Sequence, residues 1–371
     1  MATTQTSIFT PEQEELRSSS RRFFEERFTP ERVRELMETR EGFDPDTWQR
    51  MCDLGWSGIA ISEQDGGLGF GFVELGVLLE EMGRRLVASP FLSSVVLGAN
   101  AIALAGTPGQ RQALLPSIAD GTSRATLAFT GPSGRWGADG IDVRTSDGSR
   151  LDGMASFVLD GASATLLVVA ARTPDGVGLF LVDPDTAGVT RTAMHTLDAT
   201  RKQAQIAFEG AEAERLGEGG DASDALQRTL DLGAIALACE SVGGTQWCLD
   251  ASSRFANERY QFGRPIGAFQ AIKHRCADML MHLETARSTA YYAAWAAAAD
   301  DPELPQIANM AKAACSDTFF EAAADTIQIH GGIGFTWEHD AHLYLRRAKT
   351  NEIYLGDAEY HRAQLANRLG V

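Results

Sequence analysis

Residues 258–279 read ERYQFGRPIGAFQAIKHRCADM. QFGRPIG is a turn set between two helical patterns, because its glycines and proline cannot continue a helix. Upstream, residues 225–258 form one long helix candidate. Downstream, Phe269, Ile272, Cys276, Met279 and Leu283 recur on one face at helical spacing, with Pro265 near the start of that helix. The next pattern, PQIANMAKAACSDTFFEAAADTIQIHGG, is a third helix closed by Gly331 and Gly332. Glycine at a helix end tolerates the left-handed conformation of a C-cap. Residues 222–371 are therefore expected to form a helical bundle.

Outward from this bundle the character changes twice. Residues 125–215 carry short apolar runs such as ATLAFT, TLLVVAAR, VGLFLVD and AQIAF, separated by turns such as SDGS and TPDG. That alternation predicts an antiparallel β domain, a barrel or sandwich. EGAEAERLGEGGDASD then reads as an exposed acidic connector. Residues 1–124 read helical again, with Phe23, Phe24 and Phe28 on an early face and Trp48, Met51 and Leu54 on another; ISEQDGGLGFG forms a turn between helices. The fold class is α+β: an N-terminal helical domain (1–124), a central β domain (125–215) and a C-terminal bundle (222–371).

The net charge of -17 argues against nucleic acid or anionic lipid as partner. Arg346, Arg347 and Lys349 are the densest basic group, too small to reverse that. No run reaches the roughly 18 apolar residues that span a bilayer. The N-terminal stretch MATTQTSIFTPEQEELRSSSRRFF lacks the features of a signal or transit peptide. A cytosolic protein is expected. The five cysteines are scattered without a CxxC pair, and His339 and His342 have no carboxylate cluster beside them. No metal site is expected.

A second long motif follows the first at residues 328–349, QIHGGIGFTWEHDAHLYLRRAK. Both closely resemble signatures of the acyl-CoA dehydrogenase family, in the family's order and at its usual distance. ISEQDGGLGFG resembles a third, weaker signature, and the likeness spans nearly the whole chain. It implies FAD as cofactor, an acyl-CoA thioester as substrate and an electron-transfer flavoprotein as acceptor. Arg259, Phe262 and Gln270 match positions that touch the dinucleotide half of FAD. A guanidinium pairs with a pyrophosphate in a fork geometry. Gln328, Gly331 and Gly332 match positions that approach the FAD of a neighbouring subunit, so an oligomer is implied. Thr130, in AFTGP, matches a residue that bonds the flavin pyrimidine edge.

Members of that family remove the α proton of the thioester and pass the β hydrogen as hydride to the flavin. This needs a carboxylate base and stabilisation of the developing enolate oxygen. The base is commonly a glutamate in an IYEG-type stretch; here the stretch is NEIYLGDAEYHR and Leu355 stands at that place. A minority of relatives carry the base on the long helix before the first motif, where the matching residue is Gly233, followed by Ala234. In the β domain, relatives contact the flavin ring through Trp and Thr, whereas GMASFVLDG puts Phe157 and Leu159 there. Asp357, two residues past Leu355, and Glu240, seven past Gly233, are the nearest acids in sequence. Gly233 and Ala234 are small enough to leave room for a bulky acyl group.

Three readings follow. The favoured one is the subunit of a heteromeric acyl-CoA dehydrogenase that lacks the glutamate, completed by a paralogous subunit, as in bacterial enzymes acting on sterol side chains. The second is a self-sufficient homo-oligomer using Asp357 as base. The third is a flavin oxidase or a non-catalytic binding protein on the same fold.

Overall fold

A computed structural model describes residues 9–371; part of the stretch read for a targeting signal lies outside them. The first half is helical: α1 (Pro11–Arg27), α2 (Pro30–Glu38), α3 (Pro45–Asp53), α4 (Phe72–Arg85), α5 (Ala99–Ala105) and α6 (Pro108–Ala119). Four of these helices open the same way. Thr10, Thr29, Asp44 and Thr107 accept a backbone N–H through their side chains, and a proline follows at the first helical position. The cap satisfies an orphan donor, and proline occupies a position whose N–H has no helical partner. A buried π-helical segment, Phe91–Gly98, leads into α5.

The central part holds β1 (Ala125–Ala128), β2 (Arg150–Leu159), β3 (Leu166–Thr173), β4 (Gly176–Val182), β5 (Val189–Ala193), β6 (Gln203–Glu212) and β7 (Glu214–Arg215). They form two sheets, in the orders β1-β3-β4-β7 and β2-β6-β5. The expected antiparallel pairing holds for every pair but one: β1 and β3 run parallel. The chain leaves the first sheet after β1, spends β2 in the second, and re-enters alongside β1, and such a crossover permits a parallel pair. β2 carries a register shift between Ala155 and Val158. Phe157, inside that bulge, has a positive φ of 58°. A bulge of this kind re-aims a side chain out of the regular alternation.

The C-terminal part contains α7 (Ser223–Glu258), the two-residue strands β8 (Tyr260–Gln261) and β9 (Arg264–Pro265), α8 (Gln270–Ala298), α9 (Leu304–His330), α10 (Ala341–Ile353) and α11 (Ala358–Leu369). α7, α8 and α9 pack on one another, and α10 and α11 pack on α9. One continuous apolar cluster runs from Phe24 through β1 to Leu355, so the N-terminal helices and the bundle share a core; a second fills the space between the sheets. Among the described residues no helix is long and apolar enough to cross a membrane.

α4 and α7 cross at glycines. A Cβ on Gly83 would strike the carbonyl of Glu240, and one on Gly243 would strike the carbonyl of Glu80. Both sites face backbone, which cannot swing aside. Gly243→Ala is therefore expected to cost about 1–3 kcal/mol by overpacking, read as a lower denaturant midpoint; an unchanged midpoint would show that the crossing tolerates a methyl.

Candidate active site

The α10–α11 turn carries the position of interest. α10 ends at Tyr354, Leu355 takes a positive φ of 64°, Gly356 follows at 107°, and Asp357 caps α11 by accepting Tyr360 N–H at 2.8 Å. A left-handed conformation costs a side-chain-bearing residue roughly 1–2 kcal/mol, so the turn must be held. Lys312 Nζ donates to the carbonyls of Glu352 (3.1 Å) and Gly356 (2.8 Å), and the His361 ring lies 3.1 Å from the Leu355 carbonyl. Both groups are buried. Burial pushes the Lys312 ammonium down to about 7, and burial beside Lys312 pushes His361 down to about 3, leaving that ring neutral at pH 7.

Leu355 and Gly233 meet. A Cβ on Gly233 would lie 2.8 Å from Leu355 Cδ1 and 2.8 Å from Leu97 Cδ2. The two alternative base positions of the sequence reading thus face one point from opposite sides, and aliphatic carbon occupies it. This corrects the expectation of spare room at Gly233 and Ala234. Leu355 and Leu97 fill it, and Ala234 is itself buried. The cavity beside Leu355, bordered by Asp231, Tyr360, His361 and Trp136, measures about 20 Å³. That is room for one water molecule and for no acyl chain.

The acids near this point have other partners. Glu240 is 3 % exposed and lies between two guanidinium groups, bonding Arg201 and, at 2.6 Å, Arg347 Nη1. Burial alone would raise its carboxyl; the two guanidinium charges outweigh that and hold it at about 2. Arg347 reaches on to Asp198 Oδ2 at 2.8 Å and Thr200 Oγ1 at 2.5 Å, while Arg201 donates to Asn351 at 2.7 Å. Glu240 is a strut between α7, α10 and the β domain, far too acidic to take a proton at neutral pH. Arg347, part of the densest basic group in the sequence, is 2 % exposed. Asp357 is exposed and spends one oxygen on its helix cap.

The ring-facing positions lie on the other side of the turn. Thr130 is buried, and its hydroxyl donates to the Arg135 carbonyl in its own loop. Leu159 is core, 1 % exposed. Phe157 borders an apolar groove of about 390 Å³ shared with Ile353, Tyr354 and the 194–197 loop. Trp136, which the sequence reading did not single out, stands among these groups. Its indole centroid lies 5.9 Å from that of Phe129, 6.4 Å from Phe157 and 5.1 Å from Tyr354. A flavin ring needs a flat slot with hydrogen-bond partners at its pyrimidine edge. Here an indole stands in the slot, the threonine is committed elsewhere and leucine replaces a hydroxyl, so the residues present do not fit the ring.

The dinucleotide positions look different. Phe262 and Gly263 form the tip of the β8–β9 hairpin with positive φ at both residues (52° and 77°), the pattern of a type I′ turn. Phe262 is 91 % exposed; Arg259 and Gln270, either side of the hairpin, are exposed as well. At the end of α9, Gln328, Gly331 and Gly332 are exposed, and nothing lies within 4 Å of where a Cβ would sit on either glycine. Gly331, at φ 63° and ψ -140°, uses backbone space open only to glycine. The last turns of α7, just before the first motif, meet the second: the rings of Phe255 and His330 stack at 4.3 Å. This open, polar, glycine-floored surface fits the dinucleotide half of FAD. Gly233 and Arg259 lie 26 positions apart on and just past α7, about 39 Å at 1.5 Å per residue. One flavin cannot lie at both ends. Among the described residues no cluster of His, Cys, Asp or Glu would hold a metal ion.

Comparison with known proteins gives the following. Residues 10–122 match the profile "Acyl-CoA dehydrogenase, N-terminal domain" and residues 223–370 the profile "Acyl-CoA dehydrogenase, C-terminal domain". The chain is similar to the acyl-CoA dehydrogenase FadE27 of Mycobacterium tuberculosis, 33 % identical over 89 % of each chain. Its structure is similar to the ChsE4-ChsE5 complex from Mycobacterium tuberculosis, with a TM-score of 0.90 and 30 % identity over 98 % of both chains. It is also similar to the Tcur3481-Tcur3483 steroid ACAD, with a TM-score of 0.87 and 31 % identity over 97 % of this chain and 98 % of that one.

Proposed function

This chain belongs to the acyl-CoA dehydrogenase family, whose members are FAD-dependent, and from that premise we propose that it is the base-lacking subunit of a heteromeric acyl-CoA dehydrogenase. The observation that carries this reading is the meeting of Leu355 and Gly233 at a filled apolar point, with the dinucleotide surface left open. A dehydrogenase must take a proton from the α carbon; among the described residues both family base positions are filled by aliphatic carbon, and the carboxylate beside them, Asp231, is bonded by Gln227 and faces Arg368.

In this reading the chain works in trans. Arg259 pairs with the pyrophosphate of a neighbouring subunit's FAD, Phe262 covers its adenine, Gln270 and Gln328 bond its polar edges, and Gly331 and Gly332 allow close approach. FAD, once bound there, supplies the hydride acceptor. The paralogous subunit supplies the glutamate and the ring contacts, and an electron-transfer flavoprotein takes the electrons onward. The structural relatives, one a two-component complex and one a steroid ACAD, support a partner subunit and a CoA ester of a sterol-type side chain as substrate class. Residues 1–124, 125–215 and 222–371 serve as the helical, β and bundle units of the subunit.

The test compares the purified chain with the chain co-expressed with a paralogue that carries the IYEG-type glutamate. The complex should turn over acyl-CoA at least about 10²-fold faster, since a positioned base is worth about 10²–10⁴ in rate. Full FAD loading and equal turnover by the chain alone would overturn the reading.

A further inference from the structure

Trp136 lines three adjoining spaces. One is the 20 Å³ cavity beside Leu355, another the 390 Å³ groove under Phe157, and the last a groove of about 420 Å³ running past Asp357 and Tyr360. Its indole meets an aromatic residue from each of three segments: Phe129 at the end of β1, Phe157 in the β2 bulge, and Tyr354 at the end of α10. Three aromatic neighbours with centroids 5–6.4 Å away are a packing arrangement, at distances where ring pairs attract. The loop that brings it there, residues 131–137, is anchored by the Thr130 hydroxyl on the Arg135 carbonyl and by Gly131 N–H on the Gly140 carbonyl at 2.8 Å.

We propose that Trp136 is a built-in plug: its indole occupies the slot between Phe157 and Tyr354 and divides one former ligand cavity into three. The proposal rests on the subunit reading above and sharpens it, because it assigns the filling of the ring slot to one side chain, beside the hydroxyl lost at Leu159 and the Thr130 hydroxyl held by the Arg135 carbonyl. Without the indole the two grooves, of about 390 and 420 Å³, would join each other and the small cavity into one space reaching from Phe157 to Leu355, still within the size range of cofactor and substrate pockets. Glycine already bounds the loop at 134 and 137. The ligand class that such a flat, aromatic-walled slot takes is a planar heteroaromatic ring, and the natural probe is riboflavin, which presents the flavin ring without the dinucleotide.

The experiment titrates riboflavin into full-length wild type, Trp136→Gly and Trp136→Phe, reading quenching of its fluorescence and heat of binding. Trp136→Gly should bind the ring at least tenfold more tightly than wild type, and Trp136→Phe should behave like wild type. Equal affinity in wild type and Trp136→Gly, weak or tight, overturns the plug. Should Trp136→Gly not fold, amide exchange on the wild type decides: residues 131–137 should exchange at the same rate with and without saturating riboflavin, and slowing there overturns the proposal. Ring binding by wild type without turnover sinks the plug and leaves the subunit reading intact. FAD-loaded turnover by the chain alone sinks the subunit reading itself.

Discussion

Arg347→Met is expected to cost about 3–5 kcal/mol of folding stability, because it leaves Asp198 and Glu240 buried without their shared cation. That is roughly two to three and a half orders of magnitude in the folding equilibrium. Asp198, Glu240 and Arg347 are 1 %, 3 % and 2 % exposed, so water cannot take the guanidinium's place. Arg347, on α10, also ties three parts of the chain together, since its partners come from α7 and from the segment before β6. Urea melts of wild type, Arg347→Met, Glu240→Leu and the double variant form a cycle. The double variant should lose less than the sum of the singles, because it removes charge from both sides. A loss under about 1 kcal/mol for Arg347→Met would mean the carboxylates find other partners. Acid should act in the same direction. Glu240's folded pKa lies below its unfolded value, so its contribution is full above about pH 4.5 and fades as the pH falls towards 2. Arg347→Met should flatten that part of the profile.

Much of the architecture was legible because it is periodic. The apolar face from Phe269 to Leu283 and the glycine pair at 331–332 name α8 and the end of α9 directly, and the short runs between Asp, Gly and Ser turns name the β domain. What was not legible depends on contacts between distant positions. Nothing local in ATLAFT shows that β1 runs parallel to β3, because that depends on which sheet β2 joins. Arg347 sits in a basic triplet, and only its packing against Asp198 and Glu240 makes it a core residue. Gly233 reads as spare volume until Leu355 and Leu97, each over 100 residues away, are seen to fill it. Trp136 offered a signal that was there to use: a large aromatic in a Gly-, Ser- and Asp-rich loop has no reason to be exposed there. Its role emerges from where the loop folds. Three residues singled out from sequence, Phe157, Phe262 and Leu355, also have positive φ. Strain of this kind gathers at functional sites.

Arg259→Ala is expected to lower FAD affinity of the assembled oligomer by about 10- to 100-fold while leaving the chain's own melting curve in place. The size follows from losing charge-assisted hydrogen bonds to a phosphate, worth about 1.5–3 kcal/mol, or one to two powers of ten. The separation of effects follows from position. Arg259 is exposed at the α7 C-cap, beside the hairpin whose tip carries Phe262, and its side chain supports nothing in the core. The measurement is FAD retained per oligomer after gel filtration, set beside thermal melts of the same samples. Arg259→Lys should recover only part of the loss, because an ammonium keeps the charge but not the two-pronged geometry. Unchanged FAD retention in Arg259→Ala would remove the dinucleotide role from this surface. A parallel fall in melting temperature and FAD content would instead make Arg259 a structural residue. Site sharing would then fall to Gly331 and Gly332, whose open faces a Gly332→Ala variant would narrow, its added Cβ meeting no neighbour within 4 Å in this chain.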